Sequence, residues 1–138
     1  MPFIFDHEGR EFENDPHDPG GATKFGIDAR SHPGIDIKNL DETTALKIYW
    51  SEWVGNGCEE MATPLAEVFF DTCVNAGFHR ATELGKASGW RWQELIENRR
   101  TFYHNLAMSK GTFHRYLKGW LNRCNDLEQW ALQSQTTA

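Results

Sequence analysis

Residues 14–37 contain so many turn-forming residues that neither a continuous helix nor a long strand fits this segment. The turn formers are Pro16, Pro19, Gly20, Gly21, Gly26, Pro33 and Gly34. Proline fixes its own φ angle, whereas glycine lets the backbone turn sharply and approach a ligand closely. We therefore predict an extended loop here, with a short hairpin near Phe25-Gly26-Ile27.

The next segments predict two helices. Asp41 is placed to cap the first of them. Its apolar stripe comprises Ala45, Ile48, Tyr49, Glu52 and Trp53. Thr63-Pro64 indicates the start of the second helix, with threonine as the N-cap and proline in the first helical position. Because residues 65–77 are apolar on most sides, we expect this helix to be buried at the centre of the fold.

Two further helices are expected at residues 90–109 and 112–131, separated by Gly111-Thr112. The polar tail over residues 134–138 is expected to fray. With little strand signal elsewhere, the predicted fold class is mainly α, and 138 residues are enough for one domain with a real core.

Charge and cysteine content exclude several classes of function. The net charge is −6 and the 14 Lys and Arg residues are scattered, so a nucleic-acid partner is not expected. No apolar run is long enough to span a membrane, and the N-terminus lacks the pattern of a signal peptide. Cys58, Cys73 and Cys124 form no CxxC pair, which favours free thiols in a reducing compartment, with Cys73 buried.

Glu8 is the strongest candidate for a catalytic acid. It is predicted to end a short helix near Phe3, Phe5 and Phe12, where the helix dipole and partial burial would both raise its pKa. A carboxyl that stays protonated near neutral pH can protonate the leaving oxygen of a glycoside. An isolated glutamate at such a place would more simply be a solvated helix end, and it is the following loop that favours the catalytic interpretation.

Other polar residues can assist such an acid. Asp15 or Asp18 can orient water or stabilise developing positive charge, and Thr23 can hold the water. The alternatives are turn-capping aspartates and an ordinary loop threonine. Asp71 and Asn75 lie one turn apart on the helix expected to be buried, so they are either hydrogen-bonded or functional.

Metal and nucleophilic chemistry have little support in the sequence. Several potential ligands crowd near the N-terminus: His7, Glu8, Asp15, His17 and Asp18. However, the chain has no His-Glu-x-x-His helix and no Gly-x-Ser-x-Gly motif. We therefore expect no metal and no cofactor.

Two N-terminal segments carry a specific motif. The first reads His7-Glu8-Gly9-Arg10, and the second reads Asn-Asp-Pro-His-Asp-Pro-Gly-Gly-Ala-Thr-Lys-Phe-Gly-Ile over residues 14–27. Together they resemble the signature of glycoside hydrolase family 108, the phage and bacterial N-acetylmuramidases. Further similar segments are Ile48-Tyr49-Trp50, residues 70–77, Phe102-Tyr103 and residues 119–123, so the resemblance covers most of the chain.

The resemblance implies a role for each matched residue. Glu8 would be the general acid, and Asp18 and Thr23 would place the hydrolytic water. Five residues are expected to line or brace the saccharide cleft: Asp15, Phe25, Tyr49, Asp71 and Asn75.

The sequence also departs from the family pattern at three places. Arg10 replaces the second glycine of the first motif, and the interval from Glu8 to Asp15 is one residue longer than usual, which leaves Asp15 as an alternative to Asp18. After Gly77 the chain passes quickly to Gly89-Trp90, which implies a shortened C-terminal region.

The resemblance implies one lysozyme-like domain over residues 1–138, with a catalytic core at 1–80 and a C-terminal helical region at 89–131 packed on it. Its expected reaction is hydrolysis of the β-1,4 bond between N-acetylmuramic acid and N-acetylglucosamine in peptidoglycan strands. The expected setting is a monomeric phage endolysin made in the host cytoplasm and released to the wall through a holin. The alternatives are a non-catalytic wall-binding or phage structural protein and a metal-dependent wall peptidase.

Overall fold

The structure is a computed structural model and describes residues 23–25, 27–30, 32–109 and 116–136. These residues form one small hairpin and five α-helices, which confirms the mainly α fold class. The chain divides into two compact units, Met1–Gly55 and Asn56–Ala138. The division into a core at 1–80 and a helical region at 89–131 stays a prediction.

The first unit contains the predicted hairpin. Strand β1 (Thr23–Lys24) pairs antiparallel with β2 (Ile27–Asp28), and Thr23 lies opposite Asp28 in the register. Phe25 follows β1 with a φ of 54°, a left-handed conformation that a bulky side chain seldom adopts. The predicted hairpin near Phe25 is therefore confirmed.

Helix α1 (Glu42–Gly55) follows in the same unit. The backbone N–H of Thr44 donates to Oδ1 of Asp41 over 2.7 Å, so the predicted cap is confirmed. Ala45 and Tyr49 are buried, and the other members of the predicted stripe are half-buried. The stripe is therefore the inward face of α1.

The second unit is built around α2 (Leu65–Ala76), which packs against α3 (Phe78–Ala87), α4 (Trp92–Ser109) and a short 3₁₀ helix at Cys58–Glu60. Seven of the twelve residues of α2 are buried, which confirms the predicted central position. The predicted threonine cap is wrong. Pro64 occupies the N-cap position, and the Thr63 hydroxyl donates to the Glu67 carboxylate over 3.1 Å instead of capping a backbone N–H.

Helix α3 differs from the sequence prediction, in which the chain passes quickly from Gly77 to Gly89-Trp90. Most of this helix is exposed or half-buried, and Ala81 and Gly85 are its buried residues. Because small residues form the contact face, the apolar periodicity that reveals longer helices is weak here.

Gly85 is required where Trp90 packs onto α3. A Cβ atom at this position would lie 2.3 Å from Cζ3 of Trp90. The Trp90 ring also packs edge-on against the Phe69 ring, with the centroids 5.4 Å apart. We expect Gly85→Ala to lower the free energy of unfolding by about 1–3 kcal/mol, measured by urea denaturation, because the rigid ring must move. The matched control is Gly119→Ala, where a Cβ would meet no described atom within 4 Å apart from its chain neighbours and its own helix backbone, so that a gain of about 0.5–1 kcal/mol is expected. Equal effects at the two glycines would contradict this explanation.

Helix α4 confirms the helix predicted at residues 90–109. Helix α5 (Leu117–Thr136) confirms that a second helix follows, with different bounds from the predicted 112–131. Helix α5 begins later than expected and continues to Thr136, so the predicted fraying from residue 134 is wrong for its first three residues. Ser134 and Gln135 are compatible with a helix. The preceding turns pack into the core through the buried side chains of Leu127 and Ala131. The predicted break at Gly111-Thr112 lies outside the described residues.

Cys58, Cys73 and Cys124 form no disulfide and are buried, which confirms the burial predicted for Cys73. Burial raises the pKa of the Cys58 thiol to about 12, so this thiol stays protonated and unreactive at neutral pH. Among the described residues, none of the helices is both long and apolar enough to cross a membrane.

Candidate functional site

The predicted site residues are divided between described and undescribed parts of the chain. Glu8, Asp15 and Asp18 lie outside the described residues, as do His7 and His17. Thr23 is described through its backbone in β1. In the part of the chain that is described, no three His, Cys, Asp or Glu residues cluster as metal ligands.

Phe25 and Tyr49 are brought together by a buried hydrogen bond. The hydroxyl of Tyr49 donates to the backbone carbonyl of Phe25 over 2.6 Å. Tyr49 is 1% exposed and Phe25 is 7% exposed. Because both rings are almost fully buried, they offer little surface to a sugar. The hydrogen bond between the two residues joins the hairpin turn to α1. Their expected role in substrate binding stays a prediction.

His32 connects the other end of the hairpin to the same helix, and sequence reasoning missed it. Its Nε2 lies 2.5 Å from Oε1 of Glu52, and its Nδ1 lies 3.0 Å from the carbonyl oxygen of Asp28. The Asp28 carboxylate lies 3.6 Å from the same Nδ1. Because both ring nitrogens face acceptors, the arrangement is satisfied by a doubly protonated imidazolium.

The carboxylates of Asp28 and Glu52 raise the pKa of His32 from 6.5 to about 10, against the opposing effect of burial. A pKa that is raised by folding stabilises the folded state fully below the unfolded-state pKa. That contribution decreases as the pH rises from about 6.5 to about 10, where the folded state also loses its proton.

We therefore expect the stability difference between the wild-type protein and His32→Gln to be largest at pH 6 and to shrink steadily up to pH 10. Urea denaturation at intervals across this range measures the difference at each pH. A difference that stays constant or grows with pH would show that the charge on His32 does not stabilise the fold.

The second unit holds a buried ionic cluster centred on Asp71 of α2. Its Oδ2 accepts from Nη1 of Arg99 on α4 over 2.7 Å. Both carboxylate oxygens accept from Nε of Arg123 on α5 over 3.2 Å, and Oδ1 also accepts from Nη2 of Arg123. Asp71 is 1% exposed and Arg99 is fully buried. The cluster therefore ties three helices together at one carboxylate.

Burial alone would raise the pKa of Asp71, but Arg99 and Arg123 hold it below its usual range. The carboxylate is therefore charged at neutral pH and both its oxygens are occupied. A direct sugar contact at Asp71 would require the carboxylate to leave both arginines. We therefore propose that Asp71 braces the structure and does not contact the sugar directly.

Asn75 belongs to the same polar network. Nε of Arg99 donates to the Tyr103 hydroxyl over 2.9 Å, and that hydroxyl donates to Oδ1 of Asn75. The ring of Tyr103 stacks on Trp120, with the centroids 5.0 Å apart. Asp71 and Asn75 are thus both hydrogen-bonded, one of the two outcomes that their position predicted. Asn75 is half-buried, and its role in substrate binding stays a prediction.

Comparison with known proteins identifies the class of the chain. The profile of the family described as glycosyl hydrolase 108 matches residues 1–77. A solved structure titled "Structure of Brucella abortus SagA" is similar with a TM-score of 0.77 and 25% sequence identity, covering 96% of this chain and 91% of that one. No curated protein matches the chain in sequence.

The matched range contains Glu8, the Pro/Gly loop, the hairpin, α1 and α2, and it spans more than half of the chain. The chain therefore belongs to glycosyl hydrolase family 108. Membership makes it a glycosidase with a lysozyme-like, mainly α fold, and the substrate class of this family is peptidoglycan.

Proposed function

We propose that this protein is an N-acetylmuramidase that hydrolyses the β-1,4 bond between N-acetylmuramic acid and N-acetylglucosamine. The observation that carries the proposal is the family match over residues 1–77, because this range includes Glu8 and the loop over residues 14–27. In this proposal Glu8 is the general acid.

The proposed reaction needs one acid and one partner carboxylate. Glu8 gives its proton to the glycosidic oxygen as the bond from that oxygen to the anomeric carbon breaks. Water supplies the new hydroxyl on that carbon, and its other proton passes to the partner carboxylate in an inverting reaction or back to Glu8 in a retaining one. Asp18 is the first choice of partner and Asp15 the alternative, and Thr23 helps to hold the water. The stereochemical outcome follows from the distance between the carboxyl groups, about 5–5.5 Å for retention and about 6.5–9.5 Å for inversion.

The remaining predicted residues are given supporting roles. Phe25 and Tyr49 fix the hairpin that carries Thr23, a role supported by their 2.6 Å hydrogen bond. Asp71 braces the helices of the second unit from below the surface. Asn75 is the half-buried member of that network and therefore the one that can reach a ligand.

We further propose that the protein acts as a monomeric phage endolysin on peptidoglycan strands and that a holin releases it to the wall. The three cysteines support synthesis in a reducing compartment, since they make no disulfide. Family membership supports peptidoglycan as the substrate, and the phage setting is our own inference.

Purified cell-wall sacculi, digested with and without EDTA, test the reaction class. A muramidase clears the suspension and releases reducing ends at the same rate in both conditions. Release of free amines that EDTA abolishes would identify a metal-dependent peptidase instead. A protein that sediments with sacculi but releases neither reducing ends nor free amines would favour the alternative of a non-catalytic wall-binding protein.

A further inference from the structure

The hairpin that carries Thr23 is too small to hold its own position. Each strand has two residues, and the register pairs Thr23 with Asp28 and Lys24 with Ile27. An isolated two-stranded hairpin is marginally stable at best in water, and this one is far shorter than usual. Its geometry must therefore be fixed by contacts with other elements.

Helix α1 provides these contacts at both ends of the hairpin. At the turn, the Tyr49 hydroxyl holds the carbonyl of Phe25. At the open end, Glu52 holds His32, which in turn holds Asp28. Tyr49 and Glu52 are three residues apart, so they lie on the same face of α1. The two anchors therefore act from one rigid element.

The anchor at the open end acts on the residue opposite Thr23. His32 contacts both the carbonyl and the carboxylate of Asp28, the cross-strand partner of Thr23. A displacement of Asp28 is therefore transmitted to Thr23 through the backbone pairing of the two strands. The side chain of His32 is 17% exposed, so water competes only weakly with its two partners.

We propose that His32 is a positioning residue that holds Thr23 in place for catalysis through Asp28. This inference rests on the proposed function, in which Thr23 helps to hold the hydrolytic water. Removal of His32 frees the open end of the hairpin while the Tyr49 anchor keeps its turn on α1. The backbone at Thr23 then loses the anchor that Asp28 provides, and misplacement of a group in the reaction by about 1 Å can cost about 100-fold in rate.

The first part of the test is His32→Ala, assayed on soluble glycan chains well below its melting temperature. We expect kcat per folded molecule to fall by about 10- to 100-fold, with KM changed less than about threefold, because the transition-state geometry is lost and not substrate binding. The matched control is His79→Ala on α3. This change removes an exposed histidine whose Nε2 lies 2.8 Å from Oε1 of Glu83. It should leave kcat and KM unchanged.

The second part is a double-mutant cycle with Thr23→Ala, which separates positioning from a purely structural role. If His32 acts through Thr23, His32→Ala should reduce kcat by less than about twofold in the Thr23→Ala background. If His32→Ala does not fold, Glu52→Gln replaces it in the cycle, since it weakens the same anchor and keeps the size of the side chain.

Three results would overturn the inference. They are unchanged kcat in the His32 and Glu52 variants, full and multiplicative loss in the Thr23→Ala background, and wild-type kcat for Thr23→Ala alone. In each case the wild-type enzyme still releases reducing ends, so the proposed function would stand. A wild-type protein that releases none would instead refute the proposed function.

Discussion

Glu8→Gln is expected to lower the rate of peptidoglycan hydrolysis by about 10²- to 10⁴-fold, the usual contribution of a general acid. Glutamine has nearly the same size and can still hydrogen-bond the sugar, but it has no proton to give to the leaving oxygen. Binding to sacculi should therefore be retained while the release of reducing ends is almost abolished.

The matched control for this change is Glu59→Gln, which removes an exposed carboxylate from the 3₁₀ helix of the second unit. It should clear sacculi at the wild-type rate. Clearing by Glu8→Gln at that same rate would refute the assignment of Glu8. Asp15→Asn and Asp18→Asn, assayed beside it, identify the partner, since only the true partner should cause a comparable loss.

Asp71→Ala is expected to destabilise the protein by about 3–5 kcal/mol, the largest stability effect predicted for the described residues. The change leaves Arg99 and Arg123 buried without their shared counter-charge. It also releases the only carboxylate that joins α2 to α4 and α5 within this described cluster. Urea denaturation monitored by circular dichroism should therefore show a midpoint far below that of the wild type.

The control for Asp71 is Glu83→Ala on α3, which breaks an ion pair with Arg80 in which both side chains are about half exposed. Exposed pairs of this kind contribute about 0–1 kcal/mol. A loss at Asp71 no larger than the loss at Glu83 would contradict the structural importance of the cluster. Asp71→Asn should fall between wild type and Asp71→Ala, because the amide can accept one of the hydrogen bonds.

Features that depend on neighbouring residues could be predicted from the sequence. Asp41 stands three residues before the amide that it caps, and the turn formers near Phe25 predict the short hairpin through their own backbone limits. The central position of α2 followed from its continuous apolar composition. Likewise, the motif in residues 7–27 predicted the family, which the match over residues 1–77 confirms, whereas the role of Glu8 stays a prediction.

Features that depend on distant residues could not be predicted in this way. Glu52 follows His32 by 20 residues, and Arg123 follows Asp71 by 52, so no local pattern connects them. Arg99 and Tyr103 lie within the helix predicted at residues 90–109, and nothing in that segment indicates that they bind Asp71 and Asn75. Helix α3 was missed because its buried face consists of Ala81 and Gly85, which carry little hydrophobic signal.

The identity of the bond cleaved is tested most directly by mass spectrometry of the muropeptides released from purified sacculi. A muramidase yields fragments whose reducing end is N-acetylmuramic acid, and this is the expected result. Reducing ends of N-acetylglucosamine, anhydro ends or cleaved peptides would each contradict the proposed activity.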